Sequence, residues 1–459
     1  MSWTLKQLAE WCGAELAPEY ENTEITAVTI DSRKAGQGSL FIALRGENAD
    51  GHDYAAAAEK AGAAAVLVER PVEVGIPQLM VKNTHDAFGA MAAGYRRSLG
   101  LKVVGVTGSV GKTSTKEMIA SVLSSTCRTG KSEGNHNNDL GLPMSILDMD
   151  PQTEIAVLEM GMNHFGEMAY LTSIASPDIA VITNIGTVHI EFLGSREGIL
   201  EAKMEIMQGM DKNGIAVFNG DEPLLWNLKD SENHRKYYYG IENPACDVIA
   251  EDIRQLDGGM SFRVNGLGHG FEVFVPVEGV HNVYNALAAI TVGLLNGVKA
   301  EKIQYQLSNF RNTGMRQAIT EEAGMTIIND CYNASPESME AALNVLGDRP
   351  TEGRRIAVLG DMLELGARSM AEHYRIGRLA ASKADLIYVY GTYSDRIITG
   401  AITGGKLPKD CIHFPSHEGL AQKLAAVAHP GDVLLFKGSR GMRMENVLKL
   451  FLEKTKENR

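Results

Sequence analysis

The sequence lacks paired cysteines. It has five, Cys12, Cys127, Cys246, Cys331 and Cys411, in 459 residues, and no two form a C-x-x-C pair. An odd, scattered set excludes a disulfide framework, argues against a cysteine zinc site and points to a reducing compartment. No apolar run approaches about 20 residues, so no membrane span is expected. The opening residues, Met1 to Leu8, lack a basic segment followed by an apolar core, so no signal peptide is expected. A basic surplus is also missing. Lys and Arg number 44 against 57 Asp and Glu, for a net charge of −13. That balance argues against a general nucleic-acid binder and serves solubility first. It leaves acidic small molecules open, because a loop and a metal ion can reverse the potential at one site. No repeat of solenoid length occurs. The expectation is a cytoplasmic protein with free thiols.

What is present is ordinary globular composition, 44% hydrophobic and 22% charged, with enough chain for two to four domains. Three regions are expected: 1–98, 99–311 and 312–459. In the first, Thr4 caps a short helix through Leu5, Leu8, Ala9 and Cys12 that stops at Gly13. Extended segments at Thr23–Ile30 and Ser39–Ala43, an Ala-rich helix Tyr54–Gly62 and a strand Ala64–Val68 follow. The second region has apolar strands Val103–Val106, Ile155–Leu158 and Ile179–Thr183, a helix Thr113–Ser125, a β-rich stretch Asp247–Val277 and a helix near Val283–Leu295. The third, from about Arg311, alternates strands Met325–Asn329, Ile356–Leu359, Leu386–Tyr390 and Val433–Phe436 with helices Pro336–Leu346, Met370–Ser382 and Glu418–Ala428. Ser335 and Pro336 supply an N-cap and a proline at the first helical position. Strands alternating with helices imply mostly parallel sheets with ligands at the strands' C-terminal ends. The fold class is therefore α/β in three domains.

One loop carries chemistry by itself. Gly105 to Ser114 follows a strand and opens a helix, the setting a phosphate-binding loop requires. Gly108 and Gly111 let backbone N–H groups of Ser109, Val110 and their neighbours turn toward phosphate oxygens, and the helix N-terminus at Lys112, Thr113 and Ser114 adds positive potential. Lys112 reaches the terminal phosphates and Thr113 offers a hydroxyl to Mg²⁺. The loop reads T-G-x-x-G-K-T, and the glycine of the longer pattern is replaced by Val106. Glu159 ends the next apolar strand, where a carboxylate can hold Mg²⁺ over the loop. His189 follows the strand after that. Taken singly, Glu159 is equally a capping or surface acid, His189 an ordinary loop histidine and Lys203 a solvated helix lysine.

The order of these motifs resembles the Mur ligases, which add residues stepwise to UDP-N-acetylmuramic acid. The resemblance rests on Thr107–Thr113, Glu159, Thr183-Asn184-Ile185-Gly186 with His189, Glu201-Ala202-Lys203, Gly279 to Ala286, Arg316 and Asp330 to Pro336, and it spans essentially the whole chain. Ser335 stands where the family's Asn-Ala-Asn-Pro element carries its second Asn. Asp31-Ser32-Arg33, Gly38 to Leu44 and Gly51-His52-Asp53 resemble the nucleotide-recognising first domain of the third- and fourth-step members. Leu359 to Gly366 and Lys437-Gly438-Ser439-Arg440 with Met444-Glu445 resemble the fourth-step member, and the Asp-Asn-Pro-Arg tetrapeptide expected of the third-step member is absent.

The resemblance implies a small UDP-binding domain, a central ATP-binding domain and a Rossmann-like C-terminal domain. It implies ATP-dependent joining of D-alanyl-D-alanine to UDP-N-acetylmuramoyl-tripeptide by a monomer using two Mg²⁺ ions. By residue, it implies Lys112 and its loop on the β- and γ-phosphates, and Thr113 and Glu159 on one Mg²⁺. His189 and a Lys203 carbamylated by CO₂ would serve the second. His281 and Asn282 would face the nucleotide, Asp330 the ribose and Arg316 the γ-phosphate. Ser32 and Arg33 would serve the UDP end, Asn137 and Asn138 the muramoyl substrate, and Asp361, Glu364, Lys437, Ser439 and Arg440 the dipeptide. Related alternatives are the third-step ligase and folylpolyglutamate synthase; an unrelated one is a nucleotide-driven switch.

Overall fold

The computed structural model describes residues 2–231, 234–312 and 314–457. Its sheets fall into the three expected regions, each α/β. The N-terminal helix Leu5–Cys12 is closed by a capping box between Thr4 and Gln7 and ends at Gly13, whose φ of +67° suits only a residue without a Cβ clash. A four-stranded parallel sheet follows, built from Ala27–Thr29, Ser39–Ile42, Ala65–Val68 and Gln78–Met80 in that order. Helix Thr84–Ser98, capped by Asn83, closes this region. Its buried residues Phe88, Met91, Ala92 and Tyr95 share one apolar cluster with Leu142, Ile146, Leu171 and Ile174 of the next region, and Tyr95 Oη donates to the carbonyl of Met149 at 2.8 Å. The first two regions are therefore joined by a common core.

The central sheet has nine strands. From one edge they run His269–Val275, Gly259–Gly266, Val248–Leu256, Arg235–Gly240, Ile215–Asn219, Ile179–Ile182, Lys102–Thr107, Ile155–Glu159 and Thr129–Lys131. The last seven are mutually parallel; the β-rich stretch expected at 247–277 is an antiparallel extension on one side. Val103–Val106, Ile155–Leu158 and Ile179–Ile182 are buried on both faces, which is why they read as unbroken apolar runs. Helix Lys112–Ser124 packs beside Val280–Leu295 over one of those faces.

The C-terminal sheet orders Ala318–Glu322, Met325–Asp330, Val433–Lys437, Arg355–Gly360, Leu386–Tyr390 and Cys411–Phe414, parallel except for the first edge strand. Helix Pro336–Asp348 begins with a capping box on Ser335 and has Pro336 in its first turn. No described helix is long and apolar enough to cross a membrane.

Candidate active site

Both larger sheets present the C-terminal ends of their parallel strands to one cavity of about 580 Å³. The phosphate loop forms its floor. Gly108 has φ +149° and lies against Thr183: an added Cβ would sit 1.9 Å from Thr183 Oγ1. Gly111, φ +84°, caps helix Lys112–Ser124. The loop is braced from the neighbouring strand. Asn184 Oδ1 accepts from the backbone N–H of Ser109 at 3.1 Å and of Val110 at 3.0 Å, while Thr183 Oγ1 donates to Val110 O at 2.6 Å. The Lys112 ammonium lies over the loop, donating to Gly108 O at 2.8 Å. Its enclosed position pushes its pKa down, Glu159 opposes that shift and Arg316 adds to it.

Thr113 Oγ1 donates to Glu159 Oε2 at 2.7 Å, and Asn137 Nδ2 donates to Glu159 Oε1 at 2.8 Å. A hydroxyl and a carboxylate in contact, beside a phosphate loop, form a hard oxygen set that suits Mg²⁺. Among the described residues no three His, Cys, Asp or Glu side chains converge as a metal cage.

The far wall comes from the C-terminal region. Arg316 stacks on the Tyr332 ring at 3.8 Å. Asp330 is held on both oxygens, by Gln317 N at 3.0 Å and Lys437 Nζ at 2.5 Å. Gln317 then reaches across: its Oε1 lies 3.1 Å from His281 Nε2 and accepts from Asn282 Nδ2 at 3.1 Å. Burial lowers the pKa of His281, with Asp330 working the other way. Lys112, Arg316 and Lys437 line one cavity together with Glu159, Glu167, Asp221, Glu222, Asp330 and Glu337, so cations for polyphosphate stand beside carboxylates that can serve a metal ion.

The structure brings Gly111 to Ser114, Ser109, Val110, Asn137, Asn138, Glu159, His189, His281, Asn282, Arg316, Asp330 and Lys437 to this lining, with Gly108 directly beneath. Lys203 lies just behind it. It is 2% exposed, not a solvated helix lysine. Burial lowers its pKa well below the ordinary lysine value, and the nearby Lys112 charge lowers it further. Ser32 and Arg33 stand apart on the first domain, in the short turn Ser32–Lys34, with Arg33 paired to Asp31 at 2.8 Å.

Three expectations for the dipeptide, Asp361, Ser439 and Glu364, need correction. Asp361 is 2% exposed and outside the lining; its Oδ2 accepts from the backbone N–H of Thr392 at 2.6 Å and of Tyr393 at 3.1 Å. Its carboxylate secures a loop junction and is closed to a ligand. Ser439 is likewise buried, its hydroxyl donating to Ala334 O at 3.1 Å and accepting from Leu363 N at 2.9 Å. Glu364 sits against His189, with 2.6 Å between Oε2 and Nδ1. Arg440 also lies outside the lining; its half-exposed side chain pairs with Glu445 at 2.7 Å.

Several contributors went unread in the sequence. Gln317 follows Arg316 directly, and its amide links the two walls. Lys116, fully buried, donates to Ser132 O at 2.6 Å and to Gly134 O at 3.2 Å, anchoring the chain that leads into Asn137. Its spacing, one helical turn after Thr113, was the available signal.

Family models match most of the chain. One described as Mur ligase middle domain covers residues 106–293, one described as Mur ligase, glutamate ligase domain covers 315–440, and one described as Mur ligase family, catalytic domain covers 24–96. The UDP-N-acetylmuramoyl-tripeptide–D-alanyl-D-alanine ligase of Bacillus subtilis is 43% identical over 458 residues, 98% of each chain. A crystal structure of MurF from Acinetobacter baumannii aligns with a TM-score of 0.91 at 33% identity, covering 99% of both chains. MurF from Thermotoga maritima, solved in complex with ADP, aligns with a TM-score of 0.83 at 31% identity, covering 94% of this chain and 98% of that one.

Proposed function

Because the chain belongs to the Mur ligase family, we propose that its cavity joins D-alanyl-D-alanine to UDP-N-acetylmuramoyl-tripeptide, using ATP and passing through an acyl phosphate. The product is UDP-N-acetylmuramoyl-pentapeptide, a peptidoglycan precursor, with ADP and phosphate. The observation that carries this reading is a phosphate loop facing cations from a second domain, in a chain alike from end to end to ligases of that name.

A carboxylate is a poor acylating agent because its oxyanion does not leave. One oxygen of the tripeptide's terminal carboxylate attacks the γ-phosphorus of ATP, the bond to the β-γ bridging oxygen breaks, and ADP departs. The dipeptide amine, having lost its ammonium proton to solvent, then attacks the acyl carbon. The amide C–N bond forms and phosphate leaves with the former carboxylate oxygen. Lys112 and Arg316 supply positive charge to the transferring group, whose negative charge is spread over its outer oxygens. Thr113 and Glu159 would hold one Mg²⁺, and His189 with a carbamylated Lys203 would serve a second. When bound, Mg²⁺ would supply positive charge to the phosphate oxygens.

The state of Lys203 supports carbamylation. CO₂ is attacked only by a neutral amine, and burial next to Lys112 favours that form. The new N–C bond turns a repelled cation into an anion with two oxygens, and a proton is released. His281 and Asn282 face the nucleotide and Asp330 its ribose. Ser32 and Arg33 serve the UDP end, Asn137 and Asn138 the muramoyl peptide, and Lys437 and Arg440 the dipeptide side. The enzyme works as a cytoplasmic monomer. The test is an amine panel of D-Ala-D-Ala, D-Ala, L-Lys, diaminopimelate and glutamate, scored by the mass of ATP-dependent product. Product with the dipeptide is expected. ATP hydrolysis needing neither acid nor amine would instead indicate a nucleotide switch.

A further inference from the structure

The C-terminal domain meets the central domain through Gln317 and Arg349, on Glu278, His281 and Asn282, and at a second strip, Thr187 to His189, through two carboxylates. Glu337, in the first turn of helix Pro336–Asp348, accepts from Thr187 N at 2.8 Å and from Thr187 Oγ1 at 2.9 Å. Glu364 brings Oε2 to 2.6 Å from Nδ1 of His189. The oxygen is within hydrogen-bonding distance of Nδ1 but off the ring N–H direction, so a small turn of the ring or the carboxylate aligns the bond. Beside it the two domains touch closely: a Cβ at Gly366 would stand 3.3 Å from the Cβ of Glu191. His189 and Glu364 both have left-handed backbone, with φ of +64° and +62°. Side-chain-bearing residues hold that conformation where the surroundings over-determine it, as they do at functional contacts.

A histidine that ligates a metal through one ring nitrogen needs the other nitrogen engaged, and a carboxylate there fixes the tautomer and the plane of the ring. Glu364 stands at Nδ1, which leaves Nε2 for the cavity that His189 lines. We propose that Glu364 is a positioning residue for His189, supplied by the C-terminal domain, so that the imidazole is set for Mg²⁺ only while that domain is docked. The proposal rests on the ligase reading. It converts docking of the dipeptide-bearing domain into a condition for complete assembly of the phosphoryl-transfer site, and Glu337 on Thr187 holds the same strip from its other end.

The test measures metal binding as well as turnover. Mn²⁺ would be titrated by EPR into the full-length enzyme carrying a non-hydrolysable ATP analogue, for wild type, Glu364→Ala, Glu364→Gln, His189→Ala and the double variant Glu364→Ala/His189→Ala. Loss of a partner behind a ligating histidine weakens metal binding by about 10- to 100-fold. Glu364→Ala should show such a loss at the Mn²⁺ site that His189→Ala also weakens, with kcat falling and the KM for the UDP-linked tripeptide unchanged. Glu364→Gln should recover most of the affinity, because its amide oxygen can accept from Nδ1–H after the same small turn. In the His189→Ala background Glu364→Ala should do nothing further, since the two act as one unit. Wild-type Mn²⁺ affinity in Glu364→Ala, a glutamine variant as impaired as alanine, or additive losses in the double variant would each overturn the proposal. Wild-type enzyme that fails to ligate D-Ala-D-Ala would overturn the ligase reading instead, so the two failures are separate.

Discussion

Lys203 offers a test in which stability and activity should move in opposite directions. It is fully enclosed, no described carboxylate pairs with it, and the charge that acts on it is the like charge of Lys112. Replacing it with methionine keeps a chain of similar length and removes the amine. Exchanging buried ionic groups for packed apolar ones is often neutral or stabilising by about 1–4 kcal/mol. A gain of about 2 kcal/mol in the central domain raises its Tm by about 4–8 °C. The pH dependence follows from the lowered pKa. Between the depressed folded value and the unfolded value near 10.5, the unfolded chain carries a proton that the folded chain does not. Wild-type stability therefore rises with pH through that window. The advantage of Lys203→Met should be largest below it and shrink as pH approaches 10.5. The assay is a set of thermal melts of both proteins in bicarbonate-free buffer across pH, alongside ligation measured by product mass. Ligation should be lost in Lys203→Met, and formate should restore part of it in Lys203→Ala by returning carboxylate oxygens to the vacated space. A methionine variant less stable than wild type at neutral pH without bicarbonate would refute the reasoning, because the amine would then have a partner that favours its charge.

Much of the fold was legible because its central strands are buried on both faces. Val103–Val106, Ile155–Leu158, Ile179–Ile182 and Val433–Phe436 are apolar without interruption, and each lies inside a sheet. The edges were not legible. Thr129–Lys131 reads Thr-Gly-Lys and pairs on one side only, so no hydrophobic pattern marks it. Helix Thr84–Ser98 was missed although Asn83 accepts from His85 N and Asp86 N as an N-cap should. Its many small apolar residues, Ala87, Gly89, Ala92, Ala93 and Gly94, are buried nearly all round, which blurs the periodicity that identifies a surface helix.

The site divides along similar lines. The phosphate loop is local, with glycines, lysine and threonine inside one turn, so sequence alone gives its position and its chemistry. Glu159 and His189 were found because parallel strands bring their C-terminal ends together. The burial of Lys203 was invisible, since a helix lysine among Glu201, Met204 and Glu205 looks solvated until tertiary packing covers it. Asp361 and Glu364 lie within four residues of each other and both read as dipeptide contacts. The first is consumed by backbone N–H groups about 30 positions later in the chain, and the second faces another domain. Neither partner can be read from local spacing, because each depends on how separately formed elements dock.

The remaining expectations concern the cavity and its supports. Lys112→Ala should fold normally and lose about 10²–10³-fold in kcat, the scale on which removing one pre-set transition-state charge acts; near-normal product formation by the folded variant would remove Lys112 from the chemistry. Arg440→Ala should raise the KM for D-Ala-D-Ala about 10-fold or more, as loss of a charged hydrogen bond of about 1.5–3 kcal/mol requires, and leave the KM for ATP nearly unchanged; an unaltered dipeptide KM would take Arg440 out of the site. Asp361→Ala should lower Tm by leaving the N–H groups of Thr392 and Tyr393 unpaired, and a shifted dipeptide KM at unchanged Tm would reverse the structural role given to it. Gly108→Ala tests the loop through its backbone alone. The new methyl group would stand 1.9 Å from Thr183 Oγ1 and 3.1 Å from Thr183 N, at a φ of +149° that side chains rarely adopt. The threonine hydroxyl cannot simply turn aside, because it holds Val110 O at 2.6 Å. Relief therefore has to come from the loop, which loosens the bonds of Ser109 N and Val110 N to Asn184 and so shifts the start of helix Lys112–Ser124 against the phosphates. ATP affinity should fall by more than tenfold by calorimetry while the apolar clusters on both faces of the sheet keep the domain folded. An alanine variant that binds ATP like wild type would mean that the loop does not cradle phosphate in the geometry described.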